Sequence, residues 1–223
     1  MVADAAKSAG VKRFIHLSAI GADPESESDY ARSKALGEKA VGDAFEGATI
    51  LRPSIIFGPE DDFFNRFAAL ARLSPALPLI GPNTRFQPVY VADVAKAVSA
   101  CLADDATAGQ CYELGGPSVH TFRELMEIML AEIGRDRFLV PAPFWAASAK
   151  ALFLEHLRVP FFLPKPLLTR DQVRLLKYDN VVNEDAQGFG ALGIVPTSLN
   201  AVLPTYLRRY RRTKDKGRAA QAA

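Results

Sequence analysis

Short apolar runs alternate with helix-length amphipathic stretches along this chain, and that alternation constrains its fold more than any other feature. Residues 2–9 read as a short helix stopped by Gly10. Residues 11–18 are strand-like, with Phe14, Ile15 and Leu17 as apolar members and a hydroxyl, Ser18, at the end. After a polar loop at 19–27, Ser28 or Asp29 caps a helix running to about Phe45. Residues 48–51 form a short apolar strand broken by Pro53, and 54–59 read as a loop. Residues 61–73 repeat Phe63, Phe64, Phe67, Leu70 and Ala71 at helical spacing, whereas 74–82 are proline-rich and irregular. A strand at 85–91, an alanine-rich helix from Asp93 to about Leu102 and a strand at 110–114 follow. Thr121 caps an amphipathic helix carrying Phe122, Leu125, Ile128, Met129 and Ile133, and Glu124 completes a capping box. Helices are further expected at 144–157, 169–177 and 198–212. The order predicts an α/β fold with a parallel, doubly wound sheet.

Composition narrows the function classes. A chain of 223 residues with 49% apolar content can bury one core and a small lobe. The expected division is 1–137 for the α/β domain, 138–212 for a mostly helical lobe interleaved with it, and 213–223 for a basic tail. A net charge of +2 argues against nucleic acid as the main partner. Cys101 and Cys111 lack metal or redox spacing, and His16, His120 and His156 are isolated, so no metal site is expected. Residues 1–7 carry no apolar core, so no signal peptide is expected. The apolar part of 138–154 is far shorter than the ~20 residues that span a bilayer.

Tyr30-Ala31-Arg32-Ser33-Lys34 carries the chemistry: a phenol and an ammonium four residues apart share one helix face. A tyrosine of pKa ~10 is a poor base at neutral pH, and a cation one turn away favours its phenolate. The order strand, Ser18, Tyr-x-x-x-Lys helix, strand, Arg52-Pro53 loop resembles the nicotinamide end of an extended short-chain dehydrogenase/reductase. The run 88–95, Pro-Val-Tyr-Val-Ala-Asp-Val-Ala, and Tyr112-Glu113-Leu114-Gly115-Gly116-Pro117 fit the same family in order and spacing. The resemblance implies NAD(P)(H) as cofactor. It also implies Tyr30, Lys34 and Ser18 as the catalytic set, active or vestigial, and Ser18, Tyr30, Lys34, Pro53, Ser54, Ile55 and Ile56 as cofactor-binding residues.

One departure bears on activity. In active extended members the catalytic hydroxyl usually stands one residue beyond Ser18, where this chain has Ala19. Ser18 either stands in for it or satisfies a strand-end backbone group. Residues 18–23, the run 168–182 and the run 189–197 resemble an atypical branch, the NAD(P)H-binding accessory subunit of respiratory complex I and its bacterial relatives. That resemblance implies a binding or assembly role beside complex I, in the cytoplasm or peripheral on the inner membrane. The alternative is an active oxidoreductase or epimerase using Tyr30 and Lys34. Two surfaces fit a partner: the aromatic residues Phe144, Trp145, Phe153, Phe161 and Phe162, and the basic end from Arg208, suited to an anionic membrane or acidic protein face. No glycine-rich turn follows any strand, and the family pattern places this chain's first strand fifth. The chain is therefore expected to begin inside the domain, lacking the first strands and the pyrophosphate turn, and not to bind the dinucleotide unaided.

Overall fold

The structure, a computed structural model, describes residues 2–144 and 169–211. In chain order the elements are α1 (Val2–Ser8), β1 (Ile15–Leu17), α2 (Asp29–Ala44), β2 (Thr49–Pro53), β3 (Ile56–Phe57), α3 (Phe63–Leu73), β4 (Ala76–Ile80), β5 (Arg85–Phe86), β6 (Val89–Tyr90), α4 (Val91–Ala103), β7 (Cys111–Leu114), β8 (His120–Thr121), α5 (Phe122–Glu132), β9 (Phe138–Ala142), α6 (Arg170–Leu175) and α7 (Leu199–Leu207). Short 3-10 turns lie at Asp105–Thr107, Phe189–Leu192 and Arg208–Tyr210. The fold is α/β with parallel strand pairs, as expected from the alternation.

Two compact units divide the chain. The first comprises Met1–Gly58, Phe86–Val119 and Asn180–Val202. Its centre is a parallel sheet in the order β1-β2-β7, with Leu17 opposite Leu51 and Leu51 opposite Tyr112. Strand side chains alternate between faces, so Leu51, Tyr112 and Leu114 fall together. They pack with Val89, Val94, Ala97, Cys101 and Phe189 into the unit's core. A smaller cluster of Ala3, Phe45 and Ala48 joins α1 to the end of α2. Asp93 is fully buried in α4 but satisfied, accepting from Lys96 Nζ at 2.8 Å and Thr197 N–H at 2.6 Å.

The second unit comprises Pro59–Arg85, His120–Asp179 and Leu203–Ala223. Phe63, Phe67 and Phe122 form an aromatic cluster with centroids 5.5 to 5.9 Å apart. The capping box at Thr121 and Glu124 forms as the sequence predicts. Three readings are corrected. The region 74–82 is not irregular: Ala76–Ile80 is a strand paired with Phe138–Ala142. Pro78 and Pro141 hid it, yet a two-stranded pair leaves half its N–H groups outside the ladder, where proline costs little. The strand expected over 85–91 is two short pieces, and Pro53 closes β2 rather than breaking it. The helix predicted at 144–157 and the aromatic side chains Trp145, Phe153, Phe161 and Phe162 lie outside the described residues, as does the basic end from Arg212.

Candidate functional site

In the first unit β1 presents alternate side chains to opposite faces. Ile15 joins the apolar core, while His16 and Ser18 share the other face, which α2 covers. Ser28 begins α2 as an N-cap, its hydroxyl accepting from Ala31 N–H at 3.3 Å. Tyr30 follows in the first turn and Lys34 one turn later. Lys34 Nζ donates to the Leu17 carbonyl at 3.4 Å and lies 5.6 Å from the Tyr30 ring centroid. Tyr30 is 46% exposed, and burial of the remainder pushes its phenol above the ordinary range. The expectation that Lys34 favours the phenolate does not show in that shift. The ammonium faces the ring, and water at a half-exposed phenol screens it.

Ser18 is only 4% exposed. Its N–H donates to Leu51 O at 2.8 Å, so the strand end is satisfied by backbone, not by the hydroxyl. Among the described residues, the buried side-chain polar atoms without a hydrogen-bond partner are Ser18 Oγ and His16 Nε2. Both face the polar layer beneath α2. His16 Nε2 would lie 3.4 Å from a Cβ at Gly37, so the helix passes directly over the ring. The Ser18 hydroxyl lies near enough to Glu38 to favour its ionised form, although no formed hydrogen bond joins them.

Glu38 and Arg52 dominate this layer. Arg52 Nε donates to Glu38 Oε1 at 2.8 Å and Nη2 to Oε2 at 2.6 Å, a fork-on-fork pair between α2 and β2. Glu113, across the ladder from Arg52, approaches Nη1 at 3.7 Å and accepts from Asn183 N–H at 2.9 Å. Burial pushes Glu38 upward, but the Arg52 bonds, Ser18 and His16 together outweigh it and hold the carboxyl below its usual range. The same pair raises Arg52 further. Burial lowers His16, and Lys34 adds to this against an opposing pull from Glu38. Burial raises the Cys111 thiol, so it is not an activated nucleophile.

The other predicted residues gather at the ends of β1 and β2. Pro53 O accepts from Ile20 N–H at 3.0 Å, and Ser54 N–H donates to Leu114 O at 2.9 Å. Ile55 O accepts from Val89 N–H at 2.9 Å, and Ile56 pairs with Val89. Ser54 Oγ and Ile55 N–H both bond Asn180, a residue the sequence reading did not single out. The loop and the Tyr30–Lys34 turn thus meet through β1. Leu17 O takes Lys34, Ser18 N–H binds Leu51, and Ile20 N–H binds Pro53. Glu38 was also missed, though its place one turn beyond Lys34 set an acid on the sheet-facing side of α2.

These residues suit the nicotinamide end of a dinucleotide: an ammonium beside a phenol for ribose hydroxyls, and a backbone loop for a carboxamide. Among the described residues no glycine-rich strand-turn-helix of the kind that holds a pyrophosphate occurs. No cluster of three or more His, Cys, Asp or Glu among the described residues could hold a metal. No described helix is long and apolar enough to cross a membrane. In the described part of the basic end, Arg209 bonds Pro59 O and Asn65, and Arg211 bonds Glu132, all in the second unit.

Comparison with known proteins bears on the family and the fold. The NADH dehydrogenase (ubiquinone) 1 alpha subcomplex subunit 9, mitochondrial, of Arabidopsis thaliana is 41% identical over 208 residues, which are 91% of this chain and 52% of the relative. The Mus musculus protein of the same name is 38% identical over 214 residues, 94% of this chain and 55% of the relative. The chain therefore spans about half the length of the curated relatives it matches. Among solved structures, the dTDP-glucose 4,6-dehydratase DesIV of Streptomyces venezuelae, solved with NAD, superposes with a TM-score of 0.65 at 22% identity. The match covers 96% of this chain and 65% of DesIV, and it shows the shared fold. Residues 21–150 match the family described as RmlD substrate binding domain. The chain belongs to that family, as an extended short-chain dehydrogenase/reductase related to the complex I alpha subcomplex subunit 9 proteins.

Proposed function

We propose that this protein is an NAD(P)-binding short-chain-dehydrogenase-like protein of the complex I accessory type, with a binding or assembly role in place of turnover. The observation that carries this reading is the placement of Ser18. Its hydroxyl is buried under α2 in the field of Glu38, and the next residue, Ala19, has no hydroxyl to offer a substrate. When bound, nicotinamide supplies a hydride donor or acceptor at its C4. Lys34 is suited to the ribose hydroxyls and the 53–56 backbone to the carboxamide. Tyr30 stays a neutral phenol that donates a hydrogen bond. The names of the relatives support respiratory complex I as the partner. A peripheral contact with anionic lipid would fall to the exposed Arg208 and to residues beyond Arg211, because Arg209 and Arg211 are already engaged. The test is a panel assay for substrate-dependent NAD(P)H oxidation. No turnover is expected, and steady turnover abolished by Tyr30→Phe would overturn the reading. That outcome would favour the second reading, an active oxidoreductase or epimerase, which rests on Tyr30 and Lys34 standing one turn apart beside the end of β1.

A further inference from the structure

Asn180 is separated from Ser54 by 126 positions, yet it organises the loop where the nicotinamide carboxamide is proposed to lie. Its Oδ1 lies 2.6 Å from Ser54 Oγ and 3.1 Å from Ile55 N, accepting from both. The same hydroxyl is shared with the Asn180 main-chain O at 3.0 Å. Asn180 Nδ2 donates to Ile20 O at 3.4 Å, on the loop that leaves β1. The residue is itself held in place: Gln87 N–H donates to its carbonyl at 3.1 Å, and it forms a parallel bridge with Phe86. One planar amide therefore ties the segment after Ser18 to the segment after Pro53. Only a group with an acceptor and a donor on one plane can do so. Losing this side chain would leave the Ile55 N–H unpaired, while the buried Ser54 hydroxyl would keep only the Asn180 main-chain O.

We propose that Asn180 is the positioning residue that fixes the 53–56 loop to receive the nicotinamide carboxamide. This rests on the nicotinamide-side reading above and adds to it a residue from the far end of the chain. Asn180→Ala removes all three side-chain bonds, whereas Asn180→Asp keeps both accepting bonds and loses the donor to Ile20.

Amide exchange on the whole chain reads the clip directly. In Asn180→Ala, exchange at Ile55 should rise about tenfold while β2 and β7 amides keep wild-type rates. Asn180→Asp should hold Ile55 within about twofold of wild type. Unchanged Ile55 exchange in Asn180→Ala, or equal acceleration everywhere, overturns the proposal. Titration with reduced nicotinamide mononucleotide, followed by its fluorescence, reads the positioning. The half-saturating concentration should rise about fivefold in Asn180→Ala and return in Asn180→Asp. A wild-type response that Asn180→Ala leaves unchanged, or tightens, sinks this inference and spares the function. No response in the wild type sinks both.

Discussion

Removing Arg52 would strand the Glu38 carboxylate beneath α2 with its main counter-charge gone. Arg52→Met should therefore cost about 3 kcal/mol of stability, measured by denaturant unfolding. The double variant Arg52→Met, Glu38→Gln should recover most of that loss, because no buried charge is then left alone. The same layer sets a pH dependence. His16 is held below its ordinary pKa of ~6.5, so the unfolded chain takes up protons that the folded chain refuses. Its contribution is complete above about pH 6.5 and falls as the pH drops toward the folded value. Glu38 acts in the same direction from about pH 4.3 downward, being held below its usual range. His16→Leu should flatten the stability profile between about pH 5 and 6.5 and leave the more acidic limb in place. A profile identical to wild type would contradict the burial argument. Tyr30 and Lys34 were legible as a pair because four residues on a helix is a local spacing. Asn180 was not legible. Nothing within its own segment points to Ser54, and only the folded chain brings them together.

At the scale of elements, apolar runs with flanking breakers were readable wherever the run itself carried the signal. β1, β2, β7 and the Thr121-capped α5 are examples. β4 and β9 were not, because Pro78 and Pro141 suppress the strand signal and the compensating partner lies far along the chain. The α5 cap gives a direct check: Thr121→Ala should cost about 1 kcal/mol, and no change in melting temperature would contradict a working capping box. Gly116 offers a sharper one. A Cβ there would collide with the Pro88 carbonyl oxygen, which is backbone and cannot swing aside. Gly116→Ala should destabilise by about 3 kcal/mol, whereas Ala at Gly42, inside α2 where the added methyl meets open space, should stabilise by up to about 1 kcal/mol.

For the molecule as a whole, the sheet order places β1 at one edge, with its outer side unpaired among the described residues. Leu17 in β1 is 41% exposed, so this edge carries apolar surface. An unpaired edge of that kind templates association. The isolated chain should self-associate or need a partner, and a monodisperse monomer with a sharp melting transition would contradict this. The central proposal is narrower: these residues meet a nicotinamide ring but do not grip the phosphates that tether it. The direct measurement is a pair of fluorescence titrations of this 223-residue chain, one with reduced nicotinamide mononucleotide and one with NADPH. The account predicts half-saturation by the mononucleotide near the millimolar range and no tighter binding of NADPH. Micromolar NADPH binding, about a hundredfold tighter than the mononucleotide, would contradict it.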